Sequence, residues 1–205
     1  MTVILVIILG AYTLILNKTS GQIYEQMSQM AQLYAQELDN RFLRISRNLF
    51  STIMDTNETN STFYGNVNLM KNGDYSEYAI GKLREEYFSS AWEYGTEYRI
   101  FLYTHDTDKL YQLSLSSDGN YTMSPDIAAS IREQIDKLDE KTYAVKRKWD
   151  VLECDNEVYI CKIAQKNGIV LGCIVNVKSI LEPFSKLSLG KHGYVSLVDQ
   201  DEVCI

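Results

Sequence analysis

EVYICKIAQKNGIVLGCIVNV, residues 157–177, decides the fold of this chain. Asn167–Gly168 at its centre is the strongest hairpin signal in the sequence. The tight turns whose twist matches that of paired strands need positive φ, which asparagine and glycine adopt at least cost. On either side lie EVYICKIA (157–164) and IVLGCIVNV (169–177), rich in β-branched residues. Both runs are apolar at odd and even positions alike, so the sheet they enter has both faces covered. Upstream, Asp155–Asn156 supplies a second tight turn that joins WDVLEC (149–154) to the same sheet. RIFLY (99–103) and KLYQLSLS (109–116) flank the turn Thr104–Asp108 and form a further hairpin. PDIAASIREQIDKL (125–138) reads as a helix with Pro125 near its start, where proline is tolerated. A second helix is expected at 75–94, closed by Gly95, and a short one at 178–188, while 55–74 read as a polar, loop-rich crossing. The fold class is therefore α+β, a five-stranded antiparallel sheet with flanking helices.

The N-terminal quarter obeys a different period. In residues 20–54, Ile23, Met27, Met30, Tyr34, Leu38, Phe42, Ile45, Leu49 and Ile53 recur at steps of three and four, the stripe of a long amphipathic helix. At 1.5 Å per residue it extends roughly 50 Å. Such a stalk can cover its own sheet at one end and pair with a second copy at the other, and a homodimer through this helix is expected. Ahead of it, VILVIILGAYTLIL (3–16) carries no charge. A span takes about 17–25 apolar residues, so 1–17 read as a transmembrane anchor clipped on its cytoplasmic side, with an uncleaved signal-anchor and a buried core helix as the alternatives. A secretory signal would need a basic start and a small-x-small cleavage site, and neither is written here.

Net charge −7 over 205 residues argues against a nucleic-acid partner, since phosphate binding needs basic surface. Neither a GxxxxGK loop nor a GxGxxG after a strand occurs, and no cofactor is expected. The two histidines, His105 and His192, fall in connections. His105 with Asp106 and Asp108 could offer imidazole and carboxylate to a metal, yet a solvated turn is the simpler reading, and no metal or catalytic residue is assigned. Asp199 and Asp201 straddle a turn without a cleft. The turn registers place Cys154 opposite Glu157, Cys161 opposite Asp150 and Ile174, and Cys173 opposite Lys162. Cys161 and Cys173 then point to opposite faces. Cys154 and Cys161 share a face about 13 Å apart, beyond the ~7 Å limit for bridging. Free, buried thiols are expected.

The chain closes on GKHGYVSLVDQDEVCI (190–205), a hairpin that opens and stops. An apolar anchor, a long helix, a five-stranded sheet and then NGIVLGCIVNVKSILEPFSKL (167–187) running into this hairpin resemble the double Cache, PAS-like sensor regions of bacterial transmembrane receptors. The resemblance implies an anchor at 1–17, a stalk at 18–54, a membrane-distal Cache domain at 55–188 and the first hairpin of a truncated membrane-proximal module at 189–205. It implies that the bulk of the chain lies outside the cytoplasm at the cell membrane. A sensor histidine kinase of a two-component system is the expected whole, with a chemoreceptor or diguanylate cyclase sensor region, or a non-catalytic dimerisation module, as alternatives. The implied ligand is a small molecule, such as an amino acid, held between the sheet and the segment joining strands two and three. Tyr143, Arg147 and Trp149 echo the Tyr–Arg–x–Trp–Tyr element of amino-acid-sensing Cache modules, although the spacing is one residue short and Asn176 replaces the later aspartate. Tyr103 and Tyr159 are further lining candidates by strand position.

Overall fold

A computed structural model describes residues 2–55, 61–73, 76–95, 97–115, 119–138, 144–145 and 148–185; within these, the side chains of 2–17, 88–94 and 144–145 are not described. The element order is α1 (Thr2–Met54), α2 (Thr62–Lys71), α3 (Ser76–Tyr94), β1 (Tyr98–Thr104), β2 (Lys109–Gln112), α4 (Pro125–Asp136), β3 (Ala144–Val145), β4 (Asp150–Cys154), β5 (Glu157–Lys166), β6 (Ile169–Asn176) and α5 (Val177–Ser185). One antiparallel sheet runs β2-β1-β6-β5. Its fifth position is shared by β4, paired with 157–161, and the short β3, paired with Ala164 and Gln165 of β5. Helices cover both faces, an α+β architecture.

Two apolar layers explain why the central strands do not alternate. On one face Ile100, Leu102, Ile160, Leu171, Cys173 and Val175 pack against Ile45, Leu49 and Ile53 of α1, together with buried residues of α2, α3 and α5. On the other, Phe101, Cys161, Ile163, Val170 and Ile174 meet Ile127, Ile131 and Ile135 of α4. Full burial of such a side chain contributes about 1.5–3 kcal/mol, so the central hairpin draws stability from both layers.

The turn chemistry is as the sequence dictates. Asp155 and Asn156 take φ of 54° and 58°, and Asn167 and Gly168 take 52° and 71°. The resulting registers pair Cys154 with Glu157, Cys161 with Asp150 and Ile174, and Lys162 with Cys173. Cys154, Cys161 and Cys173 are buried thiols outside any disulfide, with Cys161 and Cys173 on opposite faces. Burial pushes the Cys173 thiol well above its usual range.

Three boundaries differ from expectation. The crossing at 55–74 contains a helix, α2, because Phe63, Tyr64, Val67 and Met70 form one buried side; the surrounding asparagines and Gly65 hide that period. Tyr64 also donates to the Ile53 carbonyl at 2.6 Å, satisfying one of the orphan acceptors in the last turn of α1. β2 ends at Gln112 rather than Ser116, because Ser114 Oγ accepts from Ile100 N at 2.7 Å and donates to the Tyr98 carbonyl at 3.2 Å. There a side chain takes the Ile100 amide, while the Ile100 carbonyl still accepts from Leu113 N at 2.8 Å. The segment 144–145 adds a strand that its length concealed.

Among the described residues, no helix is long and apolar enough to cross a membrane. Residues 2–17 are helical in backbone, continuous with the rest of α1, and their side chains lie outside the described residues. The hairpin expected at 189–205, with His192, Asp199, Asp201 and Cys204, lies outside them too.

Gly172 is required by space. A Cβ there would overlap the Phe101 ring and stand 2.8 Å from the Lys162 carbonyl oxygen, which is backbone and cannot turn away. Gly172→Ala is expected to cost about 1–3 kcal/mol in urea denaturation, with Phe101→Leu recovering only part of it in the double variant. Cys161 and Cys173, at 0% exposure, should resist alkylation by iodoacetamide in the native chain and react once urea unfolds it, as followed by mass spectrometry.

Candidate functional site

The helix α4 spans the face of the sheet opposite α1 and leaves a polar cluster at each end. Ser124 caps α4 by accepting from Ile127 N at 3.3 Å, and Pro125 occupies the first turn. Its apolar side faces the sheet, while Arg132 reaches the β1–β2 turn.

The first cluster surrounds Tyr103. Its hydroxyl donates to Asp108 Oδ1 at 3.0 Å, and Arg132 binds the same carboxylate at 2.7 Å and the Asp108 carbonyl at 3.2 Å. The guanidinium lies 5.8 Å from the Tyr103 ring centre, and His105 meets that ring edge-on at 5.0 Å. Asp108 adopts φ of 50°, which aims its carboxylate back at Tyr103. From the other face of the sheet, Lys71 of α2 pairs with Asp106 and holds that carboxyl below its usual range through hydrogen bonding and charge. The turn is thus pinned from both helical layers. Tyr103 is committed to this clamp, and its exposed ion pairs contribute only about 0–1 kcal/mol each.

The second cluster surrounds Tyr159. Glu157 Oε2 accepts from Tyr159 Oη at 2.9 Å and from Asn176 Nδ2 at 2.6 Å. The register explains the meeting: Tyr159 pairs with Asn176 across β5 and β6, and Glu157 is two residues from Tyr159 on the same strand face. Arg99 occupies this face on β1, across from Ile174. Burial pushes the Tyr159 hydroxyl up; Asn176 opposes that shift, the Glu157 carboxylate adds to it, and Arg99 draws it down slightly. Beside the cluster, an open groove of about 550 Å³ runs between the Asn156–Val158 end of β5 and α5, with Glu157, Val158, Val177 and Leu181 among its lining residues. Chemically, this corner offers a carboxylate that already holds two donors and a guanidinium on the same face, suited to a small molecule carrying both signs of charge.

The sequence-selected residues do not all converge. Tyr103 and Tyr159 share the α4 face but stand at opposite ends of it: they pair with Val170 and Asn176 of β6, about 20 Å apart along the strand. Trp149 faces the other way, its ring 4.8 Å from Phe42 of α1. Next to it, buried Lys162 reaches the Lys148 carbonyl at 3.4 Å, and its ammonium is depressed by burial. Trp149 therefore belongs to the stalk-facing core. Tyr143 and Arg147 lie outside the described residues. Glu157 and Arg99 were not legible as site residues, although the Asn167–Gly168 register alone places Asn176 opposite Tyr159. Among the described residues no group of histidine, cysteine and carboxylate side chains could hold a metal ion.

A phenol whose folded-state pKa is raised stabilises the fold below its ordinary value near 10, and that contribution is lost as pH climbs above it. Tyr159→Phe is expected to lower stability at neutral pH by about 1 kcal/mol, the loss of one hydrogen bond. It should also make the decline between about pH 9 and pH 11 shallower, as read from urea melts across that range. The chain matches no protein-family model, no curated protein and no solved structure.

Proposed function

We propose that this chain is the extracytoplasmic ligand-sensing region of a membrane-bound receptor, built as a membrane-distal Cache domain on an anchored stalk. The observation that carries the reading is the continuity of α1. One helix runs from the uncharged residues at 3–16 to Ile45, Leu49 and Ile53, which are 0–2% exposed in the sheet's core. A rod with one end among apolar residues suited to a bilayer and the other clamped in a domain converts domain repacking into motion at the membrane. Between these ends, Ile23, Tyr24, Met30 and Leu33 are exposed on α1, and a second copy of the stalk would cover them.

The polar corner at Arg99, Glu157, Tyr159 and Asn176 supports a small-molecule ligand of amino-acid chemistry, on the face that the resemblance assigns to ligand. Ligand binding to one of two packings of this domain shifts the stalk between states by its difference in affinity for them. The receptor reading includes a histidine kinase as the whole protein; chemoreceptor and diguanylate cyclase outputs use the same kind of input.

Two measurements test it. Alkaline phosphatase fused after residue 185 should be active in a bacterial host and pellet with membranes, and deleting residues 1–17 should release it. A thermal-shift screen of amino acids and small carboxylates against the chain should give a saturable hit, stabilising by about 2.7 kcal/mol at a hundredfold excess over Kd. An inactive, cytosolic fusion would sink the reading. A flat screen with a membrane-bound fusion would favour the dimerisation module.

A further inference from the structure

Asn176 links the polar corner to the helix that follows it, α5. Its Nδ2 donates to Glu157 Oε2 at 2.6 Å. Its Oδ1 accepts from Lys178 N at 2.8 Å and from Ser179 N at 3.4 Å, which is the capping geometry for the N-terminus of α5. The far end of α5 carries Phe184, whose ring stands 5.7 Å from that of Tyr34 in an edge-to-face contact. Tyr34 lies on α1, at the point where the stalk leaves its domain: Ile45 beyond it is buried and Leu33 before it is 64% exposed. A short rigid helix thus joins the Glu157–Tyr159 pair to the stalk, with an amide as its upper joint.

We propose that Asn176 is a positioning residue that relays the state of Glu157 to the stalk. While Glu157 holds the Nδ2, the amide plane is fixed and its oxygen faces the α5 amides. A ligand bearing an ammonium or another strong donor competes for the Glu157 carboxylate, frees the Asn176 amide to turn, and so weakens the cap. With its first turn loosened, α5 shifts Phe184 against Tyr34. This deepens the receptor reading by naming the route from the corner to the stalk. The physical requirement for such coupling is an element with two arrangements that both sites bias, and a helix whose cap is shared with a ligand-binding carboxylate meets it.

Hydrogen exchange on the full 205-residue chain in detergent tests this with no ligand, so a failed ligand screen and a failed relay are separate results. The readout is exchange at Leu181, Glu182, Phe184 and Ser185 in α5 and at the α1 amides around Tyr34; Leu171 and Val175 in β6 report whether the sheet remains intact. Asn176→Ala should speed α5 exchange about fivefold, the equilibrium change expected for loss of a typical helix cap. Glu157→Ala should speed it about two- to threefold, and the double variant should be no faster than Asn176→Ala alone. Asn176→Asp keeps the cap acceptor but sets two carboxylates together, so in that background Glu157→Ala should slow exchange. The α1 amides near Tyr34 should follow α5 in each case. The relay is overturned if Glu157→Ala leaves α5 unchanged or if the two substitutions multiply independently. It is equally overturned if α5 loosens while α1 does not respond. Should Glu157→Ala also expose the β6 amides, Glu157→Gln, which keeps an acceptor of reduced strength, is required to give the same ordering at smaller size.

Discussion

Burial of Ile45, Leu49 and Ile53 against the sheet is the contact on which the remaining architecture depends. β5 and β6 are apolar on both faces, so each face must be shielded from water. α4 serves one of them from within the sheet's own connection. The other is served by a helix that begins far from the sheet in sequence and in space. Because that helix must lie along β5 and β6 for its last turns, the position of the sheet relative to the whole rod is set by a few isoleucine and leucine side chains. Core packing is dense and resists continuous deformation, so movement of the sheet entails movement of the rod.

The same constraint explains where polar groups gather. α4 fills the middle of its face with isoleucines and leaves both ends to side chains with charge. At one end, Lys71 and Arg132 approach the β1–β2 turn from opposite layers and hold it as a rivet. At the other, Glu157 and Asn176 from the strands themselves hydrogen-bond around Tyr159. In the first cluster a tyrosine and an arginine converge on one aspartate. The second is organised around Glu157, which also lines the groove beside α5.

A structural division between the two sides of the sheet follows from this arrangement. Trp149, Phe42 and Lys162 build the surface that meets the stalk, while Tyr159, Asn176 and Arg99 build the surface that faces α4. The two sides are one strand thick apart, and α5 passes from the end of the sheet to α1 with Asn176 at its head. Contacts thus run from the polar corner through α5 to α1.

Period and turn chemistry were sufficient, by themselves, for the β4–β5–β6 registers and for the burial of Cys154, Cys161 and Cys173, but not for the end of β2, for β3 or for the pairing of β1 with β6. Asn167–Gly168 and Asp155–Asn156 admit one register each, and a register settles which residues oppose one another without further information. The long helix was equally legible, because its apolar stripe persists over many turns. α2 was not, since a buried face of only a few residues among asparagines and glycine carries too little period to stand out. Nor could strand position alone say which aromatic side chains share a site. Alternation gives the face of Tyr103, Trp149 and Tyr159, but distance along the strand and the path of α4 decide what meets, and those depend on how the layers pack. Only the tertiary structure separated Tyr103 from Tyr159, turned Trp149 toward Phe42, and put Glu157 and Asn176 in one hydrogen-bonded pair, because contacts between elements are set by the shape of the whole core rather than by any local pattern.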